Sequence, residues 1–279
     1  MPRTVRDILN ATPADPALVM GILNVTPDSF SDGGKYLDPQ IAARQAQHML
    51  DAGAAIIDIG AESTRPGSQP VSPNEQIKRI EQIVPAVLET GAVVSIDTTS
   101  AEVARCALKW GVQIVNDISA GRDDPEMLRL VASSGAVIVL MHMLGAPRTM
   151  QSNPQYSDVV SEVAGFLADR IEAARDAGID AGNIIVDPGI GFGKTLEHNL
   201  ALLANVDRLS ELDIPILIGA SRKRFIGALG GSERPEDRIG GTIAACLAAR
   251  NGGATIFRVH DVSPIVEALK VCDALRSAK

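Results

Sequence analysis

The chain has 279 residues, 46% of them hydrophobic but only 3% aromatic, and a formal charge of −8. That length allows one large domain or two small ones, the apolar content calls for a core of Ala, Val, Ile and Leu, and the acidic balance argues against a nucleic-acid or anionic-membrane surface. Any anionic ligand must then be met by a few local cations.

Residues 1–16 carry charges and prolines and read as an N-terminal extension; residues 17–279 read as one barrel domain. No apolar run has signal-peptide or membrane-spanning length, and the three cysteines, Cys106, Cys246 and Cys272, lack the number and spacing of a disulfide framework or a zinc site. A cytoplasmic protein is expected.

Short β-branched apolar runs predict strands at Leu18–Val25, Ala55–Gly60, Val93–Asp97, Gln113–Asn116, Ala136–Met141, Ile184–Asp187, Ile216–Gly219 and Thr255–Val259. Their near-continuous apolarity is what strands buried on both faces require. Helical signals fall between them. Ser72-Pro73-Asn74-Glu75 is a capping box with proline at the first helical position, and Ile77, Ile80, Ile83, Val84, Val87 and Leu88 then follow a helical period up to Gly91. Thr99 with Glu102 offers a second box, Asp124-Pro125 and Ser263-Pro264 open two more helices, and Val159, Val160, Val163, Phe166, Leu167 and Ile171 mark a long amphipathic one ending near Gly178. Eight βα units in a row predict an α/β fold of the closed (β/α)8 TIM-barrel type; a flavodoxin-like open sheet would leave about three units unexplained.

In such a barrel the chemistry sits at the C-terminal ends of the strands. Nearly every predicted strand end carries a polar residue: Asn24, Asp58 with Glu62, Asp97, Asn116, His142, Asp187, Ser221 with Lys223, and Arg258 with His260. Taken singly, Asp and Asn commonly cap the following helix, and Asp58 reads first as a core or capping carboxylate. Taken together, converging on one mouth, they read as a site. Asp187-Pro-Gly-Ile-Gly-Phe-Gly-Lys-Thr195 ends like a phosphate loop, but Pro188 stands where that motif needs its first glycine. It reads better as a loop whose backbone approaches a flat ligand, with Phe192 able to cover a ring. Arg258 and His260 share one side of the last strand, where barrels often hold phosphate. Four histidines, none at metal-ligand spacing, argue against zinc.

These residues fall in long motifs that resemble those of the dihydropteroate synthase family from Leu18 to Asp261. The matching elements are Met20 to Tyr36, Glu62-Ser-Thr-Arg-Pro-Gly67, Ser95-Ile-Asp-Thr98, Asn116-Asp-Ile-Ser119, Met141-His-Met, Asp187 to Lys194, Gly219 to Gly227 and Arg258-Val-His260. Leu144-Gly-Ala146 departs from the family's usual Gln-Gly-Thr. The resemblance implies a pterin-binding barrel in which the arylamine of p-aminobenzoate attacks the methylene carbon of 6-hydroxymethyl-7,8-dihydropterin diphosphate. It further implies Mg²⁺ and a homodimer; the small-residue run Gly240-Gly-Thr-Ile-Ala-Ala245 would permit close helix packing.

By the same resemblance, Asp97, Asn116, Asp187 and Lys223 hold the pterin edge, with Met141 and Phe192 near the ring. Asn24 ligates Mg²⁺. Ser63, Thr64, Arg258 and His260 contact the diphosphate. Phe30, Pro66 and the stem of Lys223 sandwich p-aminobenzoate, with Ser221 at its carboxylate. The catalytic set is then Asp97, Asp187, Lys223, Arg258 and His260. Thr26 to Tyr36 and Ser63 to Val71 resemble lids. The rival readings are a pterin-binding methyltransferase acting from methyltetrahydrofolate to a corrinoid, a Schiff-base aldolase using Lys223, and a silent binding relative. The first two leave the Thr26-Pro-Asp-Ser-Phe30 segment and Arg258-Val-His260 unexplained, and the intact motif set argues against the third.

Overall fold

The computed structural model describes residues 5, 8, 12–25, 38–63 and 68–278. Within them the strands are β1 (Leu18–Asn24), β2 (Ile56–Gly60), β3 (Val93–Asp97), β4 (Ile114–Asp117), β5 (Val137–Met141), β6 (Ile184–Asp187), β7 (Leu217–Ile218) and β8 (Ile256–Val259). The described helices are α1 (Pro39–Asp51), α2 (Pro73–Ile80), α3 (Ile83–Leu88), α4 (Ala101–Trp110), α5 (Met127–Ser134), α6 (Val159–Asp176), α7 (Leu196–Ala204), α8 (Val206–Ser210), α9 (Arg224–Gly230), α10 (Ile239–Asn251) and α11 (Val262–Ser277). All named strand pairs are parallel, in the order β6-β5-β4-β3-β2-β1-β8-β7, and a single bridge from Val186 to Ile216 brings the two ends together. The eight-unit barrel expected from the sequence is the fold observed.

Strand alternation divides the interior from the outer layer. Met20, Ile56, Val93, Ile114, Val139, Ile185, Leu217 and Ile256 fill the lumen, with Ile8 buried against them, while their chain neighbours Val19, Ile57, Val94, Val115, Ile138, Val186, Ile218 and Phe257 face the helices. One step further along, the inward positions turn polar: Asp58, Ser95 and Arg258, then Asp97, Asn116 and Asp187. A residue spacing of two along each strand thus stacks apolar layers below a polar mouth.

Three local expectations are corrected. The helix predicted from Ser72 to Leu88 is two, α2 and α3, with a turn at Glu81–Gln82. Pro85 is the cause, since it has no N–H to donate and its ring conflicts with the carbonyl of Glu81. Ser100, not Thr99, caps α4, its hydroxyl accepting from Val103 N at 3.4 Å. Asp261, not Ser263, precedes α11, leaving Pro264 in the first turn where its missing N–H costs nothing. No helix among the described residues is long and apolar enough to cross a membrane.

Candidate active site

Strand register assembles the mouth. Asp97 on β3 lies level with Gly60 on β2 and with Asn116 on β4, and Met141 on β5 lies level with Asp187 on β6. A cavity there is lined by Asp97, Asn116, Ile118, Met141, Asp187, Ile190, Phe192, Gly219, Lys223 and Arg258. It gathers all six residues expected at the pterin. A larger recess opens at the opposite end, between the starts of β1 to β3 and helices α1 and α11, but its walls contain no carboxylate or imidazole. The titratable groups converge at the mouth, which makes it the candidate site.

Arg258 crosses the lumen from β8. Its Nε donates to Asp58 Oδ2 at 2.6 Å and its Nη2 to Asp97 Oδ2 at 2.7 Å. Asn116 Nδ2 donates to the same Asp58 oxygen at 3.2 Å, which turns the amide oxygen of Asn116 away from Asp58. Asp58 is the core carboxylate that its sequence context suggested, and it also orients two site residues. Burial works against the charge on Arg258, but Asp58 and Asp97 overcome it and hold the guanidinium above its ordinary range. Burial pushes Asp97 up to about 7, against the opposing pull of Arg258. A 2.7 Å ion pair in a poorly solvated lumen keeps this carboxylate poised between its two states.

Asp187 accepts from Gly189 N at 2.7 Å through Oδ1, and burial raises its pKa against the pull of that bond and of Lys223. Gly189 has φ +67° and a side chain there would meet the carbonyl oxygen of His142 at 1.9 Å, so the loop can lie this close only with glycine. Lys223 Nζ stands 4.1 Å from the centroid of the Phe192 ring. Burial lowers this lysine to about 8, with Asp187 opposing the shift. A carboxylate, an amide oxygen and a lysine ammonium at the rim of a slot walled by Met141 and Phe192 suit a flat heterocycle with several N–H donors and one carbonyl.

The remaining expected residues are placed less completely. Ser221 Oγ lies 3.0 Å from His260 Nδ1 and accepts from His260 N at 3.2 Å, so the residue expected at p-aminobenzoate touches one expected at the diphosphate. Asn24 ends β1, and a side chain at Gly60 would meet its Oδ1 at 3.6 Å. Ser63 follows β2. Thr64, Phe30 and Pro66 lie outside the described residues, as do most of the two segments resembling lids. No group of three His, Cys, Asp or Glu among the described residues could hold a metal by itself. Asn24 offers one hard oxygen donor, which fits an ion such as Mg²⁺ that keeps waters and takes most of its other ligands from a bound phosphate. The sequence reading gave no role to Lys194, whose position within an otherwise glycine- and apolar-rich loop was the available signal.

The fold and the mouth define a barrel enzyme whose candidate site suits a flat, hydrogen-bonding ring. Comparison with known proteins agrees: the sequence model of the family described as "Pterin binding enzyme" matches residues 20–260. The dihydropteroate synthase of Synechocystis sp. is 48% identical over 258 residues, covering 92% of this chain and 89% of that protein. Among solved structures, Xanthomonas albilineans dihydropteroate synthase with 4-aminobenzoic acid superposes with a TM-score of 0.88 at 44% identity, covering 95% of this chain and 94% of the other. The same enzyme in complex with 7,8-dihydropteroate gives a TM-score of 0.85 at 42% identity, covering 95% of each chain. The chain belongs to the pterin binding enzymes and, within them, to the dihydropteroate synthase family.

Proposed function

We propose that this chain is a transferase that joins 6-hydroxymethyl-7,8-dihydropterin diphosphate to p-aminobenzoate, giving 7,8-dihydropteroate and diphosphate. The observation that carries the reading is the single cavity bringing together Asp97, Asn116, Asp187 and Lys223 above the Arg258 bridge. The likeness to structures holding 4-aminobenzoic acid and 7,8-dihydropteroate supports it. In the reaction the C–O bond between the pterin methylene and the diphosphate breaks, its electron pair leaving with the diphosphate. The lone pair of the arylamine forms the new C–N bond, and the nitrogen then loses a proton to solvent.

A neutral arylamine needs no strong base, so the protein's task is to orient the ring and to stabilise separating charge. Asp97 and Asp187 accept from the pterin's N–H groups and face the positive centre left at the methylene. Lys223 donates to the ring carbonyl, with its stem against Phe192, and binds without forming a Schiff base. Arg258 and His260 supply donors on the side where the diphosphate departs, together with Ser63 and Thr64. Asn24 would hold Mg²⁺, which when bound neutralises charge on the diphosphate oxygens. Ser221, Phe30 and Pro66 complete the p-aminobenzoate side.

We also propose a cytoplasmic homodimer, on likeness to the family. The run from Gly240 supports the dimer less than its sequence suggested, because Gly241 is occupied within the chain: a side chain there would meet Ile226 Cγ2 at 2.2 Å. The corrinoid methyltransferase reading is not favoured by the comparisons. The deciding experiment is p-aminobenzoate-dependent release of diphosphate by the purified protein with Mg²⁺. A folded preparation that binds both substrates yet releases no diphosphate would overturn the reading.

A further inference from the structure

Lys194 is 3% exposed and lies in the loop from β6 to α7 that the sequence presents as a near-match to a phosphate loop. Its ammonium does not face the cavity. It points inward, 2.8 Å from His142 Nδ1, 3.0 Å from the carbonyl oxygen of Phe192 and 3.5 Å from that of His142. Three acceptors converge on one nitrogen, and an ammonium, with three donors and no acceptor, is the group that satisfies them. His142 is 5% exposed, and burial, reinforced by Lys194 and Arg122, lowers its imidazole to about 3. Burial thus favours the neutral imidazole, and opposite a Lys194 ammonium its Nδ1 can only accept, which puts the ring proton on Nε2.

We propose that Lys194 and His142 form a buried latch that fixes the loop from β6 against the end of β5, making Lys194 a positioning residue for Phe192 and, through it, for the substrate ring. The inference rests on the pterin reading of the cavity for its functional consequence, not for its geometry. Other bonds hold the loop elsewhere: Gln151 Nε2 donates to Gly191 O at 2.6 Å, Gly191 N to Asn199 Oδ1 at 2.6 Å, and Tyr156 Oη to Gly193 O at 2.8 Å. Of the described side chains, Lys194 is the one bonded to the carbonyl of Phe192 itself. His142 N in turn donates to Asp187 O at 2.9 Å, so the latch joins the strand ends that carry Met141 and Asp187 to the loop that carries Phe192. The charged groups facing it are Asp187, Lys223 and Arg122. Burial brings Lys194 down to about 7 with Asp187 opposing, so the latch holds its full set of donors on the acid side of neutrality.

The test uses Lys194→Met, His142→Phe, their combination and His142→Gln, the last keeping an acceptor near the Nδ1 position. Lys194→Met should raise the KM for the pterin diphosphate on the order of tenfold or more through misplacement of the ring wall. The KM for p-aminobenzoate at saturating ester should stay within about threefold. The double variant should be no more than about twofold worse than the poorer single, because each change breaks the same contact. His142→Gln should lie within about threefold of wild type even if Lys194→Met fails to fold. Effects that multiply in the double variant, or KM values that rise together for both substrates, overturn the latch. An independent readout is the imidazole ¹⁵N spectrum of the wild-type protein. His142 Nδ1 should remain an unprotonated acceptor between about pH 5 and 7, and its shift should move in Lys194→Met. A protonated Nδ1 overturns the latch whether or not the enzyme turns over, whereas absent turnover with the expected spectrum overturns the reaction and leaves the latch standing.

Discussion

Arg258 reaches across the barrel lumen to Asp97, Nη2 to Oδ2 at 2.7 Å, although β8 and β3 are separated in the sheet by β1 and β2. Burial holds the Asp97 carboxyl up near pH 7 and Arg258 opposes the rise. If the ring's N–H groups need the ionised form, kcat/KM for the pterin ester should fall as pH drops through about 7. Arg258→Gln removes the opposing charge, so the acid limb should move to higher pH. A pH profile that has no acid limb near neutrality, or one unmoved in the variant, would separate Asp97 from ring recognition.

Asp187→Asn tests the other carboxylate. One oxygen is committed to Gly189 N at 2.7 Å, leaving the second for the cavity. An amide in its place must turn its NH₂ either to the Gly189 N–H or to the ligand's donors, and neither arrangement is satisfied. Loss of a buried charged hydrogen bond should weaken pterin binding on the order of 2–5 kcal/mol. Calorimetry with a pterin lacking the diphosphate checks this, and unchanged affinity in the folded variant removes Asp187 from the site.

Arg258→Ala should lower turnover roughly a hundred- to a thousand-fold, the usual effect of losing one transition-state charge contact. From sequence, ring affinity would barely change, since Arg258 was expected at the diphosphate alone. Its bonds to Asp58 and Asp97 predict that ring affinity falls as well, because both carboxylates lose their cation. Single-turnover diphosphate release and free-pterin affinity, measured on one preparation, distinguish the two outcomes.

Arg250→Ala is a stability test remote from the mouth. This arginine is 1% exposed, with Nε 2.6 Å from Asp273 Oδ1 and further bonds to the carbonyls of Ala254 and Asp15. Breaking such a pair from one side costs about 3–5 kcal/mol. The Tm should drop on the order of 10 °C, with kcat at low temperature little altered. An unchanged Tm would mean that water replaces the guanidinium at no cost.

The barrel was legible because each strand is buried on both faces and so reads as a continuous apolar run, and because the polar residues that end those runs are conspicuous. Helix starts were legible only to within about two residues, Asp261 standing where Ser263 was expected: Thr99 and Ser100 can both cap, and the hydroxyl that finds the turn's N–H is decided by geometry. Pro85 was visible, but the helical period around it was the stronger pattern. At the mouth, Asp97, Asn116, Asp187 and Lys223, each conspicuous as a polar residue at or just past a strand end, line one cavity. The Asp58–Arg258–Asp97 bridge was not, because it depends on strand register and closure of the sheet, which place residues 200 and 161 positions apart within one guanidinium's reach. Lys194 was hidden by its motif: a lysine after glycines suggests an anion outside the loop, and here it faces three acceptors inside.

The barrel closes through its shortest strand. β7 has two residues, and β6 meets that edge by the single bridge between Val186 and Ile216. Asp187 stands on one side of this seam, with Gly219 and Lys223 on the other. Thermal breathing should part the wall here first, and amide exchange at Val186, whose N–H donates to Pro215 O at 3.0 Å, should report it. A ring held by Asp187 and Lys223 together would act as a stitch across the gap. Substrate would then slow exchange at the seam more than at β2 or β3, completing mechanically the wall that the chain closes with one bridge.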